Sequence, residues 1–119
     1  MNQIIFEVEI SSNGPKGYET ATMLAMPCTL AEYHDALQKA RIKDGQKCKN
    51  ELTQICYPGI TPGMIGHDVD LLELDLLAIR LASLGEDDRM GLDGLLRAEQ
   101  ADRNGPIPLS PLINLTFNT

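Results

Sequence analysis

Residues 69–88, VDLLELDLLAIRLASLGEDD, limit the possible folds more than any other stretch of the chain. At 100° per residue, Leu71, Leu74, Leu77, Ala78, Leu81 and Leu84 form one broad apolar stripe. Leu72, Leu76 and Ile79 form a second on nearly the opposite side. A helix resting on a core by one face needs only the first. The segment also holds six of the seventeen acidic residues, with Arg80 as its only base. Such a helix is either sandwiched in a core or turned towards a partner. We expect the first stripe to pack against the sheet and the following helix. The second is expected to be covered as well, by the loop and the short C-terminal helix in preference to another chain.

Helix boundaries are written in the same region. Asp70 and Glu73 stand as N-cap and N3, with Val69 and Leu74 at the positions of a hydrophobic staple. Gly85 lies just past the last periodic leucine, where a left-handed C-cap favours glycine. The next helix, over 87–102, is expected to bury Met90, Leu92, Leu95, Leu96 and Ala98. Gly91 and Gly94 inside it cost about 1 kcal/mol each relative to alanine. Sharing a face, they would let another backbone come close; a local helix break is the alternative. Ser110 and Pro111 suit N-cap and N1 of a last short helix, PLINLTF.

The first half is patterned differently. IIFEVEI (4–10) alternates, with Phe6, Val8 and Ile10 on one face and Glu7 and Glu9 on the other, which marks a half-buried strand. SSNGPKG (11–17) supplies turn chemistry, and YETATMLAM (18–26) reads as the second strand of a hairpin. Thr29 and Glu32 form a capping box opening a helix to about Arg41 that buries Leu30, Tyr33, Leu37 and Ala40. ELTQICY (51–57) is a third strand. Pro58, Gly59, Pro62, Gly63 and Gly66 then mark a loop. The fold class is therefore α+β: a small antiparallel sheet with one helix, followed by a compact helical unit. The β-rich half covers 1–60 and the helical half 67–119, packed as a single unit or as two small subdomains.

Length and composition bound the function. A chain of 119 residues suits one domain with a real core, mostly aliphatic because only five aromatics are present. Three cysteines without a C-x-x-C pair, and no apolar leader, point to a reducing cytoplasm. No apolar run approaches the length of a membrane span. Residues 1–59 hold seven acids against six bases, and residues 60–119 hold ten against four, giving the net charge of −7. That balance disfavours direct nucleic-acid binding. The basic run at 39–49, with Lys39, Arg41, Lys43, Lys47 and Lys49, is first a solvated turn and second a possible nucleic-acid contact.

Catalytic patterns do not emerge. His34 is expected on the surface of the first helix. His67, beside Asp68 and Asp70, lacks metal-ligand spacing. Neither a phosphate-cradling loop nor a Ser or Cys nucleophile with an oriented base is visible, and Cys28 and Cys56 suit apolar packing. We therefore expect a non-enzyme without cofactor or metal.

Three segments, ELDLLAIRLASL (73–84), MGLDGLLRAEQ (90–100) and PLINLTFNT (111–119), carry a likeness. Here the chain resembles ArdA-type antirestriction proteins, particularly divergent relatives on conjugative elements of gut Firmicutes, of which it would be an N-terminal portion. IIFEVEI before MPCTLAEYHDAL is compatible with the same family. The resemblance implies a cytoplasmic protein of mobile elements that forms acidic dimers. Such a protein imitates DNA and occupies the DNA-binding groove of a type I restriction-modification enzyme. Carboxylates on a rigid surface can stand in for phosphates against a groove lined with Lys and Arg. The candidates for that acidic surface are Asp68, Glu73, Asp75, Glu86, Asp87, Asp88 and Asp93. A plain reading stands beside it, in which these acids solubilise an interaction module and favour helix N-termini.

Overall fold

The computed structural model describes residues 4–13, 15–43, 48–57, 59–60, 64–65, 70–103 and 105–118. The fold is α+β. Strands β1 (Phe6–Ser12), β2 (Thr22–Met26) and β3 (Cys48–Ile55) form an antiparallel sheet in the order β2-β1-β3. Helix α1 (Leu30–Lys39) lies between β2 and β3 in sequence, and α2 (Leu71–Ser83), α3 (Glu86–Ala101) and α4 (Leu109–Thr116) follow.

β1 is central because its alternation suits the position. Phe6, Val8 and Ile10 are fully buried, while Glu9 on the other face is exposed. Ile5 and Phe6 are adjacent and both fully buried, so both sheet faces are covered at that end. The second strand is shorter than its composition suggests: Gly17–Thr20 forms a 3₁₀ turn, and pairing begins at Thr22. Gly17 is buried so tightly that a Cβ there would collide with the backbone oxygen of Ser12. β3 carries a bulge, since Glu7 pairs with Gln54 but Val8 with Leu52, leaving Thr53 as the extra residue. The bulge reconciles Leu52 and Ile55, three residues apart, with one core-facing side.

The capping box of α1 forms as expected, with Thr29 N–H donating to Glu32 Oε1 (2.9 Å) and Glu32 N–H to Thr29 Oγ1 (3.1 Å). Ala36 and Ala40 are buried and Tyr33 and Leu37 half-buried, but Leu30 is exposed. Leu30, Ala31 and Glu32 in the first turn of α1 are all exposed. The helix closes with Arg41 at φ 58°, Arg41 N–H donating to the carbonyl of Gln38 and Ile42 N–H to that of Leu37. This is a Schellman motif with arginine where glycine is usual.

α2 buries the expected stripe: Leu71, Leu74, Leu77, Ala78, Leu81 and Leu84 all belong to one continuous core with the sheet, α3 and α4. The second stripe is not covered. Leu72, Leu76 and Ile79 are 59, 46 and 47% exposed. α4 lies instead against the flank of α2, where Arg80 Nη2 donates to the Thr116 carbonyl (3.0 Å) and the guanidinium stacks on Phe117. The apolar residues of α4, Leu112 and Ile113, go into the main core, so α4 does not lie over Leu76.

Other boundaries shift for local reasons. Leu84 and Gly85 are both extended, not left-handed, because Leu84 enters the core and Gly85 already serves as the N-cap of α3. Within α3, Leu92 and Leu96 are buried and Leu95 is half-buried, whereas Met90 and Ala98 face out. Gly91 and Gly94 are exposed, and a Cβ on Gly94 would meet nothing within 4 Å, so no backbone approaches there. α4 starts two residues early, capped by Pro108, which leaves Pro111 in the first turn where its missing N–H is not needed. Val69 of the expected staple, the loop positions Pro58, Pro62, Gly63 and Gly66, and His67 lie outside the described residues.

Candidate functional site

The seven acids expected to form a surface play different parts. Asp70, not among them, caps α2 by accepting from the N–H groups of Leu72 (2.9 Å) and Glu73 (3.0 Å), and the Glu73 side chain is exposed. Asp75 is half-buried, and its Oδ1 accepts from Cys28 N–H (2.9 Å), tying α2 to the turn before α1. The Cys28 thiol is pushed up to about 11 by burial, then by the charge of Asp75 and its hydrogen bond to the thiol. Glu86, Asp87 and Asp88 are exposed together on the first turn of α3, where a helix N-terminus favours negative charge. Asp93 is half-buried and held by Arg97 at 3.1 Å. Asp68 lies outside the described residues. The fold thus brings three of the candidates together, sets Glu73 apart on α2, ties Asp75 to the Cys28 backbone and pairs Asp93 with the exposed Arg97.

A further acidic feature comes from strand register. Glu9 on β1 and Glu51 on β3 are direct partners, and both are exposed. Directly opposed side chains have Cβ atoms about 4.5–5.5 Å apart, so like charges there repel. Beside Glu9 on its other side stands Met23, also exposed. Sequence reasoning placed Glu9 on the outward face but had no means of setting Glu51 opposite it.

Behind the acidic start of α3 is an open cleft of about 390 Å³ lined by Tyr57, Gly59, Glu86, Arg89, Met90, Asp93 and Arg97. The Arg89 guanidinium faces the Tyr57 ring at 5.6 Å. Burial raises the Tyr57 phenol above its ordinary value, against the opposing pull of Arg89. Arg89 and Arg97 interrupt the acidic run, so negative charge concentrates at the tip of α3 and not along its length. Among the described residues no group of three or more His, Cys, Asp or Glu is placed to hold a metal ion. Among them, too, no helix is long and apolar enough to cross a membrane. No family model, curated protein or solved structure gives a match to the chain.

Proposed function

We propose that the protein acts by binding, as an acidic inhibitor of the ArdA antirestriction kind that occupies the DNA groove of a type I restriction-modification enzyme. One observation carries this reading: Glu9 and Glu51 are held directly opposite each other on an exposed sheet face. Opposed like charges destabilise a sheet on their own, and a cationic partner turns that repulsion into attraction. Glu86, Asp87 and Asp88 add a second exposed acidic group on a rigid helix start. Direct DNA binding fits the net charge of −7 less well, although Lys39, Arg41, Lys43 and Lys49 of the basic run are all exposed. Lys47 lies outside the described residues.

Titration of the purified protein into a type I restriction enzyme bound to labelled DNA tests this reading. Displacement that weakens as salt rises is expected, because the competing contacts are ionic. An absence of displacement would end the mimicry reading. A second reading, an interaction module of a mobile element without mimicry, is favoured by the exposed Leu72, Leu76 and Ile79. Direct, salt-sensitive DNA binding by the chain would instead favour a nucleic-acid adaptor.

A further inference from the structure

Arg41 stands where the backbone favours glycine. Its φ of 58° carries strain that glycine would not, and strain of this kind gathers at functional sites. Helix capping does not account for the side chain. The carbonyls of Ala36, Leu37 and Gln38 accept from the N–H groups of Ala40, Ile42 and Arg41, and that of Ala40 accepts from Thr20 Oγ1 at 3.1 Å. These carbonyls have no need of the guanidinium, and Arg41 is exposed.

The Thr20 bond also decides what Arg41 meets. It ties the connection between β1 and β2 to the end of α1. Along this join runs an open cleft of about 760 Å³, lined by Lys16, Gly17, Glu19 and Thr20 from the connection and by Arg41 from the helix end. Its wall is fixed at Gly17, which is buried against the Ser12 backbone with no room for a side chain. Among the described residues neither Lys16 nor Arg41 is held in an ion pair. Lys49, exposed on β3 as the partner of Ser11, adds a cation nearby. Glu19 is the only acid lining the cleft among the described residues.

Charge and size select the occupant. Two cations outside ion pairs against one acid favour an anion, and a multiply charged anion over a single carboxylate. The arginine fork matches a pair of phosphate oxygens, and lysine adds a point charge. The volume is that of a small-molecule site. Exposed charges act over about 10 Å at 0.1 M salt, so a small ligand feels this cleft and little of the chain's −7. A nucleic-acid strand spans more of the surface and meets that net charge.

We propose that the cleft between the Gly17–Thr20 turn and the end of α1 binds the phosphate or diphosphate group of a small phosphorylated molecule. This goes beyond the antirestriction reading and does not depend on it. Calorimetric titration of the full chain with inorganic pyrophosphate, succinate and a short oligothymidylate, at about 20 mM salt, tests it. Pyrophosphate should bind roughly ten-fold more tightly than succinate or the oligonucleotide, and more weakly as salt rises. Arg41→Gly and Lys16→Gln should each weaken pyrophosphate binding roughly five-fold or more. Arg41→Gly relieves backbone strain, so its loss of binding would not come from unfolding; an unchanged circular dichroism spectrum checks Lys16→Gln. Glu19→Gln should tighten binding roughly two-fold, because it removes the acid that opposes the ligand. No binding of pyrophosphate, equal binding of succinate, or wild-type affinity in both Arg41→Gly and Lys16→Gln would each overturn the proposal. So would tighter binding of the oligonucleotide than of pyrophosphate, since a nucleic acid would then be the occupant.

Discussion

At the scale of single residues, Cys28 shows how a fold sets chemistry. Burial first, and Asp75 next, push its thiol up to about 11 from an ordinary 9.0. The thiolate is the nucleophile, and two units remove about 99% of it at any pH well below 9. Iodoacetamide at pH 8 should therefore modify exposed Cys56 at least ten-fold faster than Cys28, and denaturant should abolish the difference. Asp75→Asn should restore only part of the Cys28 rate, because burial remains. Peptide mass spectrometry over a time course reads both results, and equal rates in the native protein would sink the account. The same shift fixes a sign for stability. Below about pH 9 both folded and unfolded chains keep the proton and nothing changes. Between about 9 and 11 the unfolded chain binds fewer protons, so stability falls as pH rises.

At the scale of elements, helix ends and helix faces give separate tests. Arg41 occupies a left-handed position at φ 58°, which costs a side-chain-bearing residue roughly 1–2 kcal/mol. Arg41→Gly removes that strain but frees the unfolded chain by roughly 0.4–1 kcal/mol, so a net gain of about 0.5–1 kcal/mol is expected in urea melts. Arg41→Ala should bring no gain, which separates strain from charge. On α2, Leu74→Ala should cost about 2–5 kcal/mol, whereas Leu76→Ala should stay within about 0.5 kcal/mol. A large loss at Leu76 would mean that its face is covered. These contrasts also show where sequence reasoning reaches. Both side-chain N-caps, Thr29 and Asp70, and the inward face of β1 are legible because caps and alternation act over a few residues. The exposure of Leu72, Leu76 and Ile79 is not, because burial depends on where α4 comes to rest. The bulge at Thr53 and the early start of α4 likewise answer to tertiary packing. For the site, Glu86, Asp87 and Asp88 stand together because they are consecutive; Glu9 and Glu51 meet only through a register set across α1.

At the scale of the whole molecule, the net charge of −7 weighs stability against binding, and the Glu9–Glu51 pair is where the two can be measured together. Lys49 lies one diagonal step from Glu9 but forms no ion pair with it among the described residues, so the opposed carboxylates are not locally neutralised. Replacing either by glutamine keeps the shape and removes the repulsion. Glu9→Gln and Glu51→Gln should each raise stability by roughly 0.2–1 kcal/mol at low salt. The double variant should gain little beyond either single one, because the first substitution already removes the opposing charge. Since the pair is exposed, the gain should shrink as salt shortens the screening length to about 10 Å at 0.1 M. The same substitutions should weaken displacement of DNA from a type I restriction enzyme, with the loss also fading at higher salt. A gain in stability with a loss of binding identifies acids kept for a cationic partner at the expense of the fold. A gain in stability with unchanged displacement would leave the pair as a local charge clash, and the mimic would then have to rest on Glu86, Asp87 and Asp88 alone.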